Sequence, residues 1–298
     1  MTKLRIALLL ALTILISSTA ATAGQLQTTV SIPPLKYFVE KIGGELVKAN
    51  IMVKAGSSPA TYEPQPRQMA ELSKSEIYFA IGVPFERAWL PRFKSANSHL
   101  EIINLGSGVA HHAMRAHVHE DGQHEQSKHE DHQTTKRIMD PHVWLAPQLV
   151  RIISQQIRDT LIEHDPANKQ AYIHNYLGFA EEINELDSEL LKTFSKNKTG
   201  FSFMVYHPSW GYFARAYGLT QIPIELEGKE PSPKKLAQLI NLAKKNSVKA
   251  IFIQPQFSKK SAQAIADSIG AKILTADPLA EDWTANLRRT AGAFATRH

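Results

Sequence analysis

Met204-Val205-Tyr206-His207-Pro208 ends an apolar run, and Tyr212-Phe213 then open a helix that ends near Gly218. The chain has used this pattern once before. Val30-Ser31-Ile32-Pro33 ends a strand, and Tyr37-Phe38 open a helix ending near Gly43. Pro33 to Pro208 and Tyr37 to Tyr212 are both offsets of 175 residues. A second pair follows suit. Ile77-Tyr78-Phe79-Ala80 and Ile251-Phe252-Ile253-Gln254 each follow a helix-like segment and lead to a Pro and a Phe, at an offset of 174. Strand alternates with helix in both copies. That pattern predicts an α/β fold of two similar lobes, each a parallel sheet flanked by helices.

Between the copies lies a long helical pattern. Asp165 is a candidate cap and Pro166 suits the first helical position. Tyr172, Tyr176, Phe179, Ile183, Leu186 and Leu190 recur at steps of three and four, which makes one apolar stripe. From Pro166 to Ser195 such a helix runs ~45 Å at 1.5 Å per residue. Unless it breaks at Gly178, it crosses the back of both lobes as one rigid strut, stopped by Lys196-Asn197-Lys198-Thr199-Gly200. A shorter helix precedes it from Pro147, with Leu149, Ile153, Ile157 and Leu161 inward. The expected organisation is a first lobe over 24–165, a linking helix over 166–196 and a second lobe over 197–298.

Lys3 and Arg5 precede an apolar core from Ile6 to Ile16, and Ala21-Thr22-Ala23 fits a cleavage site. These features read as a cleaved signal peptide over residues 1–23, too short in its apolar run to span a bilayer. Removing it leaves 275 residues and takes the net charge from +6 to +4. The chain contains no cysteine, so it has no lipobox thiol to acylate, no disulfide and no thiolate metal site. A soluble periplasmic protein is expected. Its Lys and Arg are scattered rather than striped, which argues against a nucleic-acid partner.

Seven of the thirteen histidines lie between His111 and His132: His111, His112, His117, His119, His124, His129 and His132. Glu120, Asp121, Glu125, Glu130 and Asp131 stand among them. Imidazole is the commonest protein ligand for zinc, copper and nickel, and carboxylates add hard oxygens beside it. No apolar residue recurs there at helical or strand spacing. The run is therefore expected to be a mobile, exposed loop that collects metal.

In open parallel sheets, ligands sit beyond the carboxyl ends of the strands. His207 follows Phe201–Tyr206, and Asp277 follows Ala271–Ala276. His142 sits in Asp140-Pro141-His142-Val143-Trp144-Leu145. Two imidazoles and one carboxylate make three of the four ligands of a tetrahedral zinc site. The aromatics Phe85, Trp89, Trp144, Trp210 and Trp283 are expected to serve packing, and His99, His164, His174 and His298 to lie on the surface.

Four segments together resemble a family. Asp140–Leu145, Tyr206-His207-Pro208-Ser209-Trp210-Gly211-Tyr212-Phe213, Glu230-Pro231-Ser232-Pro233 and Asp277-Pro278-Leu279 look like the zinc and manganese solute-binding proteins of ABC importers, the ZnuA/TroA-like group. The resemblance spans essentially the whole mature chain. It implies two α/β lobes joined by one long helix, a single metal in the interlobe cleft, and delivery of that metal by a monomer to a membrane permease with its cytoplasmic ATPase. His142, His207 and Asp277 match three of the family's ligand positions. A histidine at position 207 and the His-rich loop resemble the zinc-type members, so Zn2+ ranks ahead of Mn2+ or another divalent ion; softer imidazole ligands agree.

The chain departs from the family at two places. The family's Pro-His-x-Tyr-Glu-Pro motif reads Pro59-Ala60-Thr61-Tyr62-Glu63-Pro64 here, and Ala60 has no metal-binding atom. Gln254 stands where the family often has Glu. The fourth ligand is therefore left open among water, a histidine of the His111–His132 run, and Glu63. Two rival readings stand beside import. One is a periplasmic metal buffer or chaperone uncoupled from any transporter. The other is a zinc hydrolase with an open coordination position, which needs a general base such as Glu63, Glu225 or Glu227. No HExxH-type helix or nucleophile elbow supports that enzyme.

Overall fold

The computed structural model describes residues 24–114, 139–195, 202–225 and 228–295. The expected signal peptide, His117, His119, His124, His129, His132 and Glu227 lie outside the described residues.

Two four-stranded parallel sheets have matching strand orders. The first runs β2-β1-β3-β4, from β1 (Leu26–Val30), β2 (Val47–Ile51), β3 (Ile77–Ala80) and β4 (Glu101–Asn104). The second runs β6-β5-β7-β8, from β5 (Ser202–Val205), β6 (Thr220–Pro223), β7 (Ala250–Ile253) and β8 (Lys272–Thr275). β1, β3, β5 and β7 lie inside their sheets, so both faces are covered and the strands are almost continuously apolar. The internal repeat is thus structural. Val30 pairs with Phe79 and Val205 with Phe252, which makes the second offset 173 rather than 174.

Helices fill the connections: α1 (Pro33–Gly43), α2 (Pro66–Leu72), α3 (Glu86–Ala96), α4 (Pro147–His164), α5 (Lys169–Ser195), α6 (Gly211–Ala216), α7 (Pro233–Lys245), α8 (Lys260–Ile269) and α9 (Trp283–Ala295). α1 starts at Pro33-Pro34, one turn before Tyr37, because proline has a helical φ and no N–H to satisfy in the first turn.

The linking helix is α5. It spans 27 residues without a break at Gly178, roughly 40 Å. It starts later than its pattern suggests, since Pro166–Asn168 forms a separate 3-10 turn. Asp165 does not cap the backbone. Its carboxylate accepts instead from Asn168 Nδ2 and the Tyr172 hydroxyl, both at 2.7 Å. Tyr172, Phe179, Ile183, Leu186 and Leu190 are buried as the stripe requires, and Phe194 extends it. Tyr176 is half-buried and lies under the Arg158 guanidinium. In α4 the inward residue of the first turn is Val150, and Leu149 is half-buried.

The main core is shared between the lobes. One apolar cluster runs from the first sheet through α4 and α5 to α9 and onto one face of the second sheet, ending at Phe203, Phe252 and Phe294. A smaller cluster fills that sheet's other face, around Met204, Ile222, Leu239 and Ile265. Glu182, on α5, adds a polar clamp. It accepts from Tyr37 and Lys41 of α1 and from Thr284 of α9. No helix among the described residues is long and apolar enough to cross a membrane.

Candidate metal centre

A cavity of about 240 Å3 opens between the lobes. Ala60, Gly82, Met114, Met139, His142 and Trp144 line it on one side, and His207, Phe257, Pro278 and Leu279 on the other.

His207 lies two residues beyond the carboxyl end of β5. Gln254 holds its backbone at both ends: Oε1 accepts from His207 N at 3.1 Å, and Nε2 donates to His207 O and to Ser209 Oγ. An ionised glutamate cannot donate, so the amide at position 254 suits this loop better than the carboxylate the family often carries. The His207 ring stacks on Phe257, with centroids 5.0 Å apart. Its Nδ1 lies 2.6 Å from Glu225 Oε1. Burial pushes the imidazole pKa below its ordinary value, helped by nearby His142 and opposed by Glu225 and Asp140. A neutral ring is the form that binds metal.

His142 lies in a turn followed by an apolar stretch, as its sequence context suggests, rather than at the end of a strand. The stretch forms the 3-10 segment Val143–Leu145. Asp140 organises that turn: Oδ1 accepts from His142 N at 3.0 Å and lies 2.6 Å from Nδ1. The His142 and His207 rings meet edge to face at the cavity, with centroids 5.3 Å apart.

Asp277 lies two residues beyond β8, as expected. Its Oδ1 accepts from Gln256 Nε2 at 3.2 Å and from Leu279 N at 3.0 Å. Among the described residues, no three His, Asp or Glu side chains are gathered into a metal cage. The fold therefore brings His142 and His207 together, while the Asp277 Oδ1 is engaged by Gln256 and Leu279.

The other sequence candidates are placed differently. Glu63 is exposed and does not line the cavity; its neighbour Tyr62 is the structural residue, bonded to Gln68 and edge-on to Phe85. His111 Nε2 lies 2.8 Å from Gly106 O, and Nδ1 lies 3.5 Å from Asp140 O. His112 packs on Tyr212 and lines a second cavity. Glu225, a guessed general base, is engaged with His207 instead. His164 is half-buried and paired with Glu101 rather than free on the surface. Sequence reasoning missed Asp140 as a partner of His142. The Asp-x-His spacing was the available signal.

Two α/β lobes on a rigid helix, with two imidazoles meeting in the intervening cleft, are the build of solute-binding proteins that take up metal ions. Residues 29–296 match the family described as ZnuA, zinc-uptake complex component A, periplasmic, and the chain belongs to that family. It is a zinc-binding, solute-binding protein of the periplasmic uptake type. It is 28% identical over 252 residues to the high-affinity zinc uptake system protein ZnuA of Bacillus subtilis (strain 168), covering 83% of this chain and 76% of that protein. It is 28% identical over 268 residues to the zinc-binding protein AdcA of Streptococcus pyogenes serotype M3, and spans 51% of AdcA's length. A crystal structure of ZnuA superposes with a TM-score of 0.82 at 42% identity, covering 91% of this chain and 98% of that one. A ZnuA deletion mutant with zinc bound gives 0.80 at 41%, covering 91% and 97%.

Proposed function

We propose that this protein captures Zn2+ through His142, His207 and Asp277 and passes it to an ABC importer permease driven by a cytoplasmic ATPase. It acts as a monomer in the periplasm, after cleavage of residues 1–23. Residues 24–165 and 197–298 serve as its lobes, and 166–196 as the link.

The observation that carries this reading is the 5.3 Å separation of the two imidazoles. Two rings bound through nitrogen to one tetrahedral zinc, with Zn–N of about 2.0–2.1 Å, hold their centroids about 5.2 Å apart. The site thus supports two ligands already at zinc spacing. Rotation of the Asp277 carboxylate away from Gln256 supplies the third.

The fourth position belongs to the wall that Ala60 lines. Met114 and Met139 flank segment 115–138 in sequence, and both line the same cavity. That supports a histidine from His117 to His132, or a water, as the fourth ligand. The exposure of Glu63, and the backbone contacts of His111, argue against those two.

The test is zinc calorimetry on metal-free mature protein. His207→Ala is expected to abolish the tight site, and its retention there would overturn the assignment. A variant in which a short Gly-Ser linker replaces 115–138 leaves both partners of the Ala113–Met139 bridge in place. Survival of the tight site in it assigns the fourth position to water, and loss assigns it to the segment.

A further inference from the structure

Glu225 is 1% exposed, carries no cation against it among the described residues, and uses only one of its two oxygens. Oε1 meets His207 Nδ1 at 2.6 Å, whereas Oε2 is buried without a hydrogen-bond partner among the described residues. Such a group is expensive: a buried carboxylate needs pairing, and an unmatched buried oxygen costs stability. An aliphatic residue fills the same volume without that cost.

The surroundings show what the carboxylate accomplishes. Ile224 N donates to Val205 O and Glu225 N to Tyr206 O, so the chain beyond β6 is zipped to the end of β5, beside His207. Gln254 fixes the His207 backbone, Phe257 its ring face, and Glu225 its Nδ1. Nε2 is the one polar atom of the side chain left to the cavity. Opposite a carboxylate, which accepts only when ionised, a neutral ring carries its proton on Nδ1 and its lone pair on Nε2.

We propose that Glu225 is the positioning residue of the zinc site, holding His207 in the Nδ1–H tautomer and matching the charge that arrives when a divalent cation binds Nε2. This rests on His207 being a ligand. The under-paired buried carboxylate costs the metal-free protein stability, and a cation at Nε2 offsets part of that cost by polarising the imidazole N–H toward Oε1. Asp140 holds His142 in the same way, but through two hydrogen bonds, one of them to its backbone. Among the described residues, Glu225 has the ring as its only side-chain partner, so its effect falls on binding rather than on the loop.

The experiment compares wild type with Glu225→Gln by zinc competition titration and by thermal melting of the metal-free proteins. Histidine-15N NMR of the imidazole is read alongside. Glu225→Gln is expected to weaken zinc 10- to 100-fold, the range typical of carboxylates behind metal-bound histidine. Its metal-free melting temperature is expected at or above that of wild type, whereas a merely structural residue lowers it. Wild-type His207 is expected to show the Nδ1–H tautomer. Zinc affinity within twofold of wild type, or an Nε2–H tautomer, overturns the proposal. If Glu225→Gln melts below wild type, the wild-type tautomer alone decides. His207→Ala separates the two readings: a tight site that survives it sinks the ligand assignment, whereas one lost with it but unmoved by Glu225→Gln sinks only the positioning role.

Discussion

The Trp144 indole N–H donates to the Pro278 carbonyl at 2.7 Å. Trp144 lies two residues after His142, and Pro278 directly follows Asp277, so one buried hydrogen bond ties a candidate ligand loop of the first lobe to one of the second. The Trp283 indole donates in turn to Trp144 O, also at 2.7 Å, and Asn286 Nδ2 donates to Asp277 O. The cleft wall is therefore anchored on α9, which packs on the linking helix.

Trp144→Phe removes this tie and leaves the Pro278 carbonyl without its donor. The expected loss of stability is about 2–4 kcal/mol, from the orphaned group and the cavity together. Chemical denaturation measures it. Zinc affinity is expected to fall as well, because the Asp277 loop loses its reference point. Unchanged affinity in a destabilised variant would show that the tie serves folding alone.

Ala60→His restores an imidazole on the wall of the 240 Å3 cavity. Zinc is expected to bind at least tenfold more tightly, about 1.4 kcal/mol. Calorimetry on the single variant and on the same variant lacking 115–138 checks this. The gain is expected to make the segment dispensable for the tight site.

Gly211→Ala tests the His142 turn without touching a candidate ligand. A Cβ at Gly211 sits 2.7 Å from Asp140 Oδ2, and Asp140 is buried and cannot retreat freely. Overpacking of this kind costs about 1–3 kcal/mol. The melting temperature is expected to drop and zinc to bind less tightly, since displacing Asp140 turns the His142 ring. A variant that melts like wild type would show that the turn yields.

Glu182 predicts a pH dependence. Lys41, Thr284 and Tyr37 hydrogen-bond its carboxylate and hold its pKa below the ordinary value, against the opposing effect of burial. The unfolded chain therefore takes up this proton more readily than the folded one. The clamp contributes stability in full above the unfolded value and loses it as pH falls through the folded value. Glu182→Gln is expected to cost about 1 kcal/mol at neutral pH and to flatten the acid side of the stability curve. Melting temperatures between pH 3 and 7, a window set by the ordinary carboxylate value of about 4.3, decide the point. Parallel curves for the two proteins would remove Glu182 from the account.

Periodicity and punctuation in the sequence make much of this protein legible. The strand–Pro–helix repeat at Pro33 and Pro208 announced two sheets of one build. The stripe from Tyr172 to Leu190 announced the strut. His207 and Asp277 could be placed because a strand must end where its apolar run ends. All of these are local signals, carried by neighbours in the chain. Asp165 shows their limit: its sequence reads as a cap, but its carboxylate found side chains instead of backbone N–H groups.

What only the tertiary structure decided was who meets whom. No local pattern separates His142, which faces His207, from His111, whose ring is held by Gly106 O. Glu63 and Glu225 look alike in sequence, yet one is in solvent and the other is buried against an imidazole. The larger core, which runs through both lobes, was equally invisible, because its members are joined by packing across α5 and α9. The sequence determined the repeat, the strut and the kinds of ligand available, since backbone preference and hydrophobic period act over a few residues. The facing of the two imidazoles, and the carboxylates that orient them, depend on contacts between distant segments, which exist only once the sheets have been brought together by burial.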